Sequence, residues 1–271
     1  MQCTKPIYLT GGHVVPCGKC VACRIAMSRD WSLRILHEML YWPAASFWTW
    51  TYDDAHLPVD RSLKSEQYTL AIKRLRERLR RSKRPMAYFG AGEYGERYGR
   101  PHYHTIILGV SRDESELMRE VWPYGYVDAG TVTYESIRYV VDYIGKVDAN
   151  GWQDERERPF RRMSKGLGKR WIEDESNLRR LLIDPTIRYR GKEFCLPRYF
   201  IKKMKDVYSK EFVDLILKDL DRKEKEVYFE AMADYALQGE VRCKYDFDLI
   251  NGAQRDLNLN ARLNLKKKGV F

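Results

Sequence analysis

The stretch GRPHYHTIIL, residues 99 to 108, sets His102 and His104 one residue apart at the start of an apolar run. Side chains alternate across a strand, so both imidazoles leave the same face, roughly 6 to 7 Å apart, with Tyr103 on the other. Two imidazoles on one face can grip a single divalent ion. The plain alternative is a pair of surface histidines at a strand start. A metal would want a third, carboxylate ligand. In GAGEYGERYGRPHYH the best placed is Glu93, just after the preceding strand, with Glu96 as its rival.

A second candidate lies in YVVDYIGK, residues 139 to 146. At about 100° per residue, Tyr139, Tyr143 and Lys146 share one edge of a helix. The apolar stripe of Ile137, Val140, Val141, Ile144 and Val147 is centred elsewhere, although tyrosines flanking a core are common. A tyrosine oxygen can attack a phosphodiester and form a covalent phosphotyrosine link, splitting one difficult exchange into two easier ones. A phenol is mostly protonated at neutral pH, so it needs a cation or base nearby. Lys146 could lower its pKa and steady the phosphate, while a metal on the histidines would polarise the phosphoryl oxygen.

A third group is CGKCVAC, with Cys17, Cys20 and Cys23, and with Cys3 upstream. Thiolates two residues apart can share a metal, and Cys3 could complete a structural zinc site. The triple CxxCxxC also suggests an iron–sulfur run, but the close fourth Cys and its Pro are missing. Free, partly buried thiols are the alternative.

The surrounding periodicity predicts how these residues are carried. Helical spacing runs through CRIAMSRDWSLRILHEMLYW up to Pro43, and SFWTWTYDD alternates as a strand. In SEQYTLAIKRLRERLRRSKR, Tyr68, Ala71, Ile72, Leu75 and Leu79 make one stripe. Arg74, Arg78 and Arg81 help form a basic face that could bind DNA or simply be solvated. PMAYFGAG reads as a strand before the histidine strand, then come helix DESELMREVW, strand YGYVDAG and helix YESIRYVVDYIGKV. Closely linked strands favour antiparallel pairing, so the fold class is α+β, a central antiparallel sheet with flanking helices. GWQDERERPFRRMSKGLGKRW reads as loop-rich and basic, and its GLGK lacks the spacing of a phosphate-binding loop. Residues 206 to 238 read as a charged helix, and the tail LNLNARLNLKKKGVF as an edge strand or basic arm. The expected organisation is a cysteine cluster and helix over residues 1–45, a nuclease core over 46–150 and a basic helical extension over 151–271.

The chain has 271 residues, 44% hydrophobic and 32% charged, with 49 basic against 38 acidic residues for a net charge of +11. A folded basic protein most often meets a polyanion, and nucleic acid is the default partner. No 18-residue apolar run is present, so no membrane partner is expected. The first residues lack a charged-then-apolar leader, which predicts a cytosolic setting in which disulfides are unusual.

A His-hydrophobic-His pair on a strand, followed by a helix carrying YxxxY and an overlapping YxxK, resembles the HUH endonuclease superfamily. More narrowly, the chain resembles the rolling-circle replication initiators of gokushovirus-type microviruses, small single-stranded DNA phages. The matching pieces are VPCGKCVACR leading into SRDWSLR, TYDDAHLP, GEYGERYGRPHYHTIILG and RYVVDYIGK, with RMSKGLGKRW and LPRYFIKK weaker. The resemblance implies a ferredoxin- or RRM-like core and a sequence-specific nickase. That enzyme would open a circular intermediate through a 5′-phosphotyrosine and rejoin the displaced strand. It implies His102, His104 and Glu93 as ligands of Mg²⁺ or Mn²⁺, Tyr139 and Tyr143 as nucleophiles, and Lys146 as helper cation. The partners it implies are single-stranded origin DNA of a circular phage genome and a host helicase and polymerase, in the cytoplasm of a bacterial host. A relaxase- or transposase-like enzyme is the nearest alternative, and a non-catalytic basic DNA-binding protein with a cysteine knuckle is the alternative of another class.

Overall fold

The computed structural model describes residues 3–11, 14–95, 97–148, 154–237, 254 and 257, without the side chains of residues 143–148, 224, 227 and 234–237. The elements in chain order begin with β1 (Ile7–Tyr8), β2 (Val14–Val15), α1 (Val21–Met39), β3 (Ala45–Tyr52) and α2 (Ser65–Arg81). They continue with β4 (Ala87–Tyr94), β5 (Pro101–Leu108), α3 (Ser115–Val121), β6 (Gly125–Thr131), α4 (Tyr134–Asp148) and β7 (Phe160–Met163). Last come α5 (Lys169–Glu173), α6 (Glu175–Ile183), β8 (Thr186–Tyr189), β9 (Lys192–Cys195), α7 (Arg198–Val207) and α8 (Lys210–Leu237). The chain divides into two compact units, residues 27–171 and residues 1–26 with 172–271.

The first unit is built on a five-stranded antiparallel sheet of order β6-β3-β5-β4-β7. Alternation in β3 decides its two faces. Trp48, Trp50 and Tyr52 are fully buried on one face, where Tyr103 and Ile107 of β5 join them. The α2 stripe of Tyr68, Ala71, Ile72, Leu75 and Leu79 closes that layer, together with Met118, Val121 and Trp122. On the other face, Phe47, Phe89 and Ile106 meet Ile35 of α1 and Ile137, Val140 and Val141 of α4. The unit is therefore a helix–sheet–helix sandwich, the α+β architecture expected from the sequence.

Local signals explain the entry to α4. The Thr133 N–H donates to Ser136 Oγ (2.8 Å) and the Ser136 N–H donates to Thr133 Oγ1 (3.1 Å), a reciprocal cap that fixes where the helix begins. In the segment read as loop-rich, FRRM forms β7 and pairs with β4. The GLGK stretch beyond it is a docked turn. The Arg34 guanidinium donates twice to the Leu167 carbonyl (2.8 and 3.1 Å), and the buried Glu38 carboxylate accepts from the Gly168 N–H (2.8 Å).

The second unit holds the β1–β2 hairpin, the β8–β9 hairpin and helices α6 to α8. Leu178, Leu181, Ile187, Phe200, Met204, Val213 and Ile216 are buried there. Lys223 of α8 donates to Asp184 at the end of α6 (3.1 Å). The C-terminal tail lies outside the described residues.

Candidate active site

Register brings the proposed ligands together. Glu93 of β4 stands directly opposite His102 of β5, and His104 stands opposite Ala91. Glu93, His102 and His104 all leave the face that carries α4, while Tyr103 points into the aromatic layer beneath, as alternation requires. Glu93 Oε1 lies 2.8 Å from His102 Nε2 and 2.8 Å from His104 Nε2. One ligand atom from each residue falls within 4.8 Å of the other two. The carboxylate is only 4% exposed. Among the described residues, Glu93 is the carboxylate that joins the histidines; Glu96 lies outside them.

Backbone and side-chain partners fix how the rings face. His102 Nδ1 is 3.1 Å from the Arg100 carbonyl, which can only accept, so Nδ1 carries hydrogen and Nε2 is the nitrogen offered inward. His104 Nδ1 is 3.0 Å from Thr49 Oγ1, and Phe47 stacks on the His104 ring at 5.5 Å. Burial pushes the Glu93 carboxyl up, but hydrogen bonds from His102 and His104 outweigh it and hold the group below the usual carboxylate range. Burial works against a charged His102, yet the Glu93 carboxylate more than offsets that and holds the imidazole above its ordinary value.

Tyr139 completes the group. Its ring meets the His104 ring edge-on at 5.1 Å, and its hydroxyl donates to Glu93 Oε1 at 3.4 Å. It is 45% exposed, whereas Ile137, Val140 and Val141 on the same helix are fully buried. Tyr139 is thus set apart from the buried part of the apolar stripe of α4, as the spacing predicts. Tyr103, by contrast, is buried in the aromatic layer, with its phenol pushed up by that burial, and could not reach a strand of DNA. Tyr143 and Lys146 follow on α4 with side chains outside the described residues. Helix α4 is tied to α1 by a hydrogen bond from Ser28 to Asp142.

Beside the triad the sheet face is open. Thr51 and Tyr126 continue the Glu93–His102 row, and Thr49 and Asp128 continue the row of Ala91 and His104, which Arg161 of β7 extends on the other side. Tyr126 is 68% exposed. Sequence reasoning did not single out Thr49, Tyr126, Asp128 or Arg161. The signal was present for Thr49, because the Trp48-Trp50-Tyr52 alternation leaves threonines on the other face.

Arg74, Arg78 and Arg81 are not brought to this site. They belong to α2, which covers the opposite face of the sheet. Arg74 donates to the Val121 carbonyl (3.4 Å), Arg78 pairs with Glu120 (2.6 Å) and Arg81 with Glu77 (3.4 Å). The four cysteines 3, 17, 20 and 23 gather in the other unit.

Residues 45–148, which hold Glu93, both histidines and both tyrosines, match the family described as replication-associated protein ORF2. The chain is 36% identical over 211 residues to replication-associated protein VP4 of Bdellovibrio phage phiMH2K, covering 68% of this chain and 65% of that protein. It is 29% identical over 246 residues to replication-associated protein ORF2 of Spiroplasma virus 4, covering 80% and 76%. Against replication-associated protein ORF4 of Chlamydia phage 1 the identity is 27% over 222 residues, covering 73% and 55%. The chain thus spans just under two thirds of the VP4 relative. No solved structure matches the chain.

Proposed function

We propose that the chain, whose residues 45–148 match the replication-associated ORF2 family and whose relatives are replication-associated proteins of phages, is a phage replication initiator of the gokushovirus type and a metal-dependent tyrosine endonuclease and strand-transferase of the HUH kind. It starts rolling-circle replication on single-stranded origin DNA. The observation that carries this reading is the approach of the Tyr139 hydroxyl to Glu93, with its ring against His104.

The donor set fits a divalent cation. A buried carboxylate oxygen and two imidazole nitrogens converge on one spot, and the Arg100 carbonyl leaves the His102 lone pair facing it. Glu93, His102 and His104 would hold Mg²⁺ or Mn²⁺, which draws charge from a scissile phosphate and orients it. The Tyr139 oxygen attacks phosphorus, the P–O3′ bond breaks, and the 3′ oxygen leaves with a proton. The phenolic proton already points at Glu93 Oε1, an acceptor at hand as the oxygen becomes a nucleophile. The new ester joins Tyr139 to the 5′ phosphate. It keeps the free energy of the broken diester, so a 3′ hydroxyl reverses the step and closes a circle without ATP. Tyr143, one turn along α4, supplies a second phenol for the next origin copy, and Lys146 beyond it is the helper cation. Strand separation and synthesis are assigned to a host helicase and polymerase in the bacterial cytoplasm.

The test is incubation with a single-stranded origin oligonucleotide and Mn²⁺. Wild type, Tyr139→Phe and Tyr143→Phe should form a denaturant-stable protein–DNA adduct, and the double phenylalanine variant none. His102→Ala/His104→Ala should bind the oligonucleotide and fail to cut it, because binding rests on many phosphate contacts. An adduct from the double phenylalanine variant would place the nucleophile elsewhere.

A further inference from the structure

The second cluster of metal-ligating side chains belongs to the other unit, at the start of α1. The short hairpin β1–β2, with Ile7 opposite Val15 and Tyr8 opposite Val14, folds the chain back so that Cys3 returns beside Cys17. Gly18, with φ of +73°, takes the left-handed turn between Cys17 and Cys20, a conformation that a side chain would strain. Cys20 and Cys23 then bracket the first turn of the helix.

The sulfur spacing is informative. Cys3 and Cys20 Sγ are 3.7 Å apart, Cys17 and Cys23 Sγ are 4.0 Å apart, and all four sulfurs fall within 4.8 Å of one another. A disulfide needs about 2.05 Å, so neither pair is bonded. Four thiolates around one zinc at about 2.3 Å stand about 3.8 Å apart along each tetrahedral edge. A two- or four-iron cluster puts iron–iron edges between its cysteines and spreads their sulfurs beyond this reach.

The backbone is arranged for anionic sulfur as well. The N–H groups of Lys19 and Cys20 both donate to Cys17 Sγ (3.4 and 3.3 Å). The Cys17 N–H donates to Cys3 Sγ (3.2 Å) and the Cys23 N–H to Cys20 Sγ (3.5 Å). Such outer contacts orient ligands and offset their charge, as in other thiolate sites. The positive end of α1 adds to the effect.

We propose that Cys3, Cys17, Cys20 and Cys23 form a mononuclear tetrathiolate Zn²⁺ site that clasps the N-terminal hairpin onto the start of α1. Four protein ligands leave no open position, so the ion is structural and not catalytic. The site is independent of the proposed nuclease chemistry, and each can fail without the other.

The test is metal analysis of the full chain, purified under reducing conditions from zinc-supplemented cells without chelator. Wild type and His102→Ala/His104→Ala should each carry about one zinc, and Cys17→Ser/Cys20→Ser about a tenth of that or less. If the serine variant is insoluble, titrating the wild type with an organomercurial reads the same property, since zinc should leave as the thiols are consumed. Cobalt substitution should give thiolate-to-cobalt charge-transfer bands. Zinc near zero in the wild type, zinc lost on mutating the histidines, or the visible absorption of an iron–sulfur cluster would each overturn the proposal.

Discussion

Replacing Glu93 by glutamine probes the triad through stability alone, before any DNA is added. In metal-free protein, His102 donates from Nδ1 to a carbonyl and places Nε2 2.8 Å from the Glu93 carboxylate. Both ring nitrogens therefore face acceptors, and the imidazolium is favoured. The raised His102 value means stability that is fully present below the ordinary imidazole value of 6.5 and is lost as pH rises through the folded value. The lowered Glu93 value means stability that is present above the ordinary carboxylate value of 4.5 and is lost as pH falls through its folded value. Both contributions are complete only between those two ordinary values. Inside that window, near pH 6, Glu93→Gln removes a buried charge-assisted hydrogen bond and should cost about 1.5–3 kcal/mol. Once the pH has risen through the folded His102 value, the deprotonated ring turns a lone pair toward the carboxylate, and a glutamine N–H suits that lone pair better. The cost should shrink to about 1 kcal/mol or less. Urea unfolding with chelator present, followed by the fluorescence of the buried tryptophans Trp48, Trp50 and Trp122, measures both values. Added Mn²⁺ relieves the same lone-pair conflict, so it should stabilise wild type more at the higher pH, by about 2.7 kcal/mol at a hundred times Kd. A penalty that is equal at both pH values, or larger at the higher one, would refute this reasoning.

Other outcomes follow from the same geometry. Thr49→Val removes the partner of His104 Nδ1 and should weaken Mn²⁺ binding about 10- to 100-fold by calorimetry; unchanged affinity would deny Thr49 that orienting role. Gly90→Ala would drive a Cβ to within 1.9 Å of Tyr68 Oη and 2.9 Å of Thr105 Oγ1, and it should lower unfolding free energy by about 1–3 kcal/mol in a denaturant melt. Combined alanine replacement of Arg74, Arg78 and Arg81 should leave cleavage of a short oligonucleotide intact, because α2 lies across the sheet from the triad. If these arginines hold a longer duplex, the slope of log affinity against log salt should fall by about 0.9 for each phosphate they neutralise. Collapse of oligonucleotide cleavage in that variant would show the two faces to be coupled.

Much of the site was legible because its signals are local. The His-x-His pair in a strand, the α2 stripe and the offset of Tyr139 from the apolar stripe on α4 all follow from periods of two and 3.6. Glu93 was legible as a candidate because it ends the neighbouring strand. Its place beside His102 depends on hairpin register, which puts Tyr94 opposite Pro101 and so Glu93 opposite His102. Strand β7 was hidden because FRRM is short, carries two arginines and has no alternation long enough to read. It becomes a strand only because β4 offers an edge, a tertiary cause that no local pattern records. The hairpin β8–β9 pairs locally across Arg190 and Gly191, but each of its strands is only four residues long, too short for alternation to be read. Tyr126 was hidden because its importance comes from a neighbouring strand.

The lateness of β7 has a consequence for how the chain is made. Strand β4 is synthesised early, yet its second neighbour arrives only after β5, α3, β6 and α4 have left the ribosome. A polypeptide halted after α4 would hold every residue proposed for the nuclease and still lack the short strand that covers β4 at this edge of the sheet. The peptide groups of Phe89 to Gly92, which β7 occupies in the finished protein, would instead be open to any other extended chain. Such a fragment is expected to associate with copies of itself before it works as a short nuclease. Four residues outside the proposed metal and nucleophile set therefore decide whether that edge of β4 is covered.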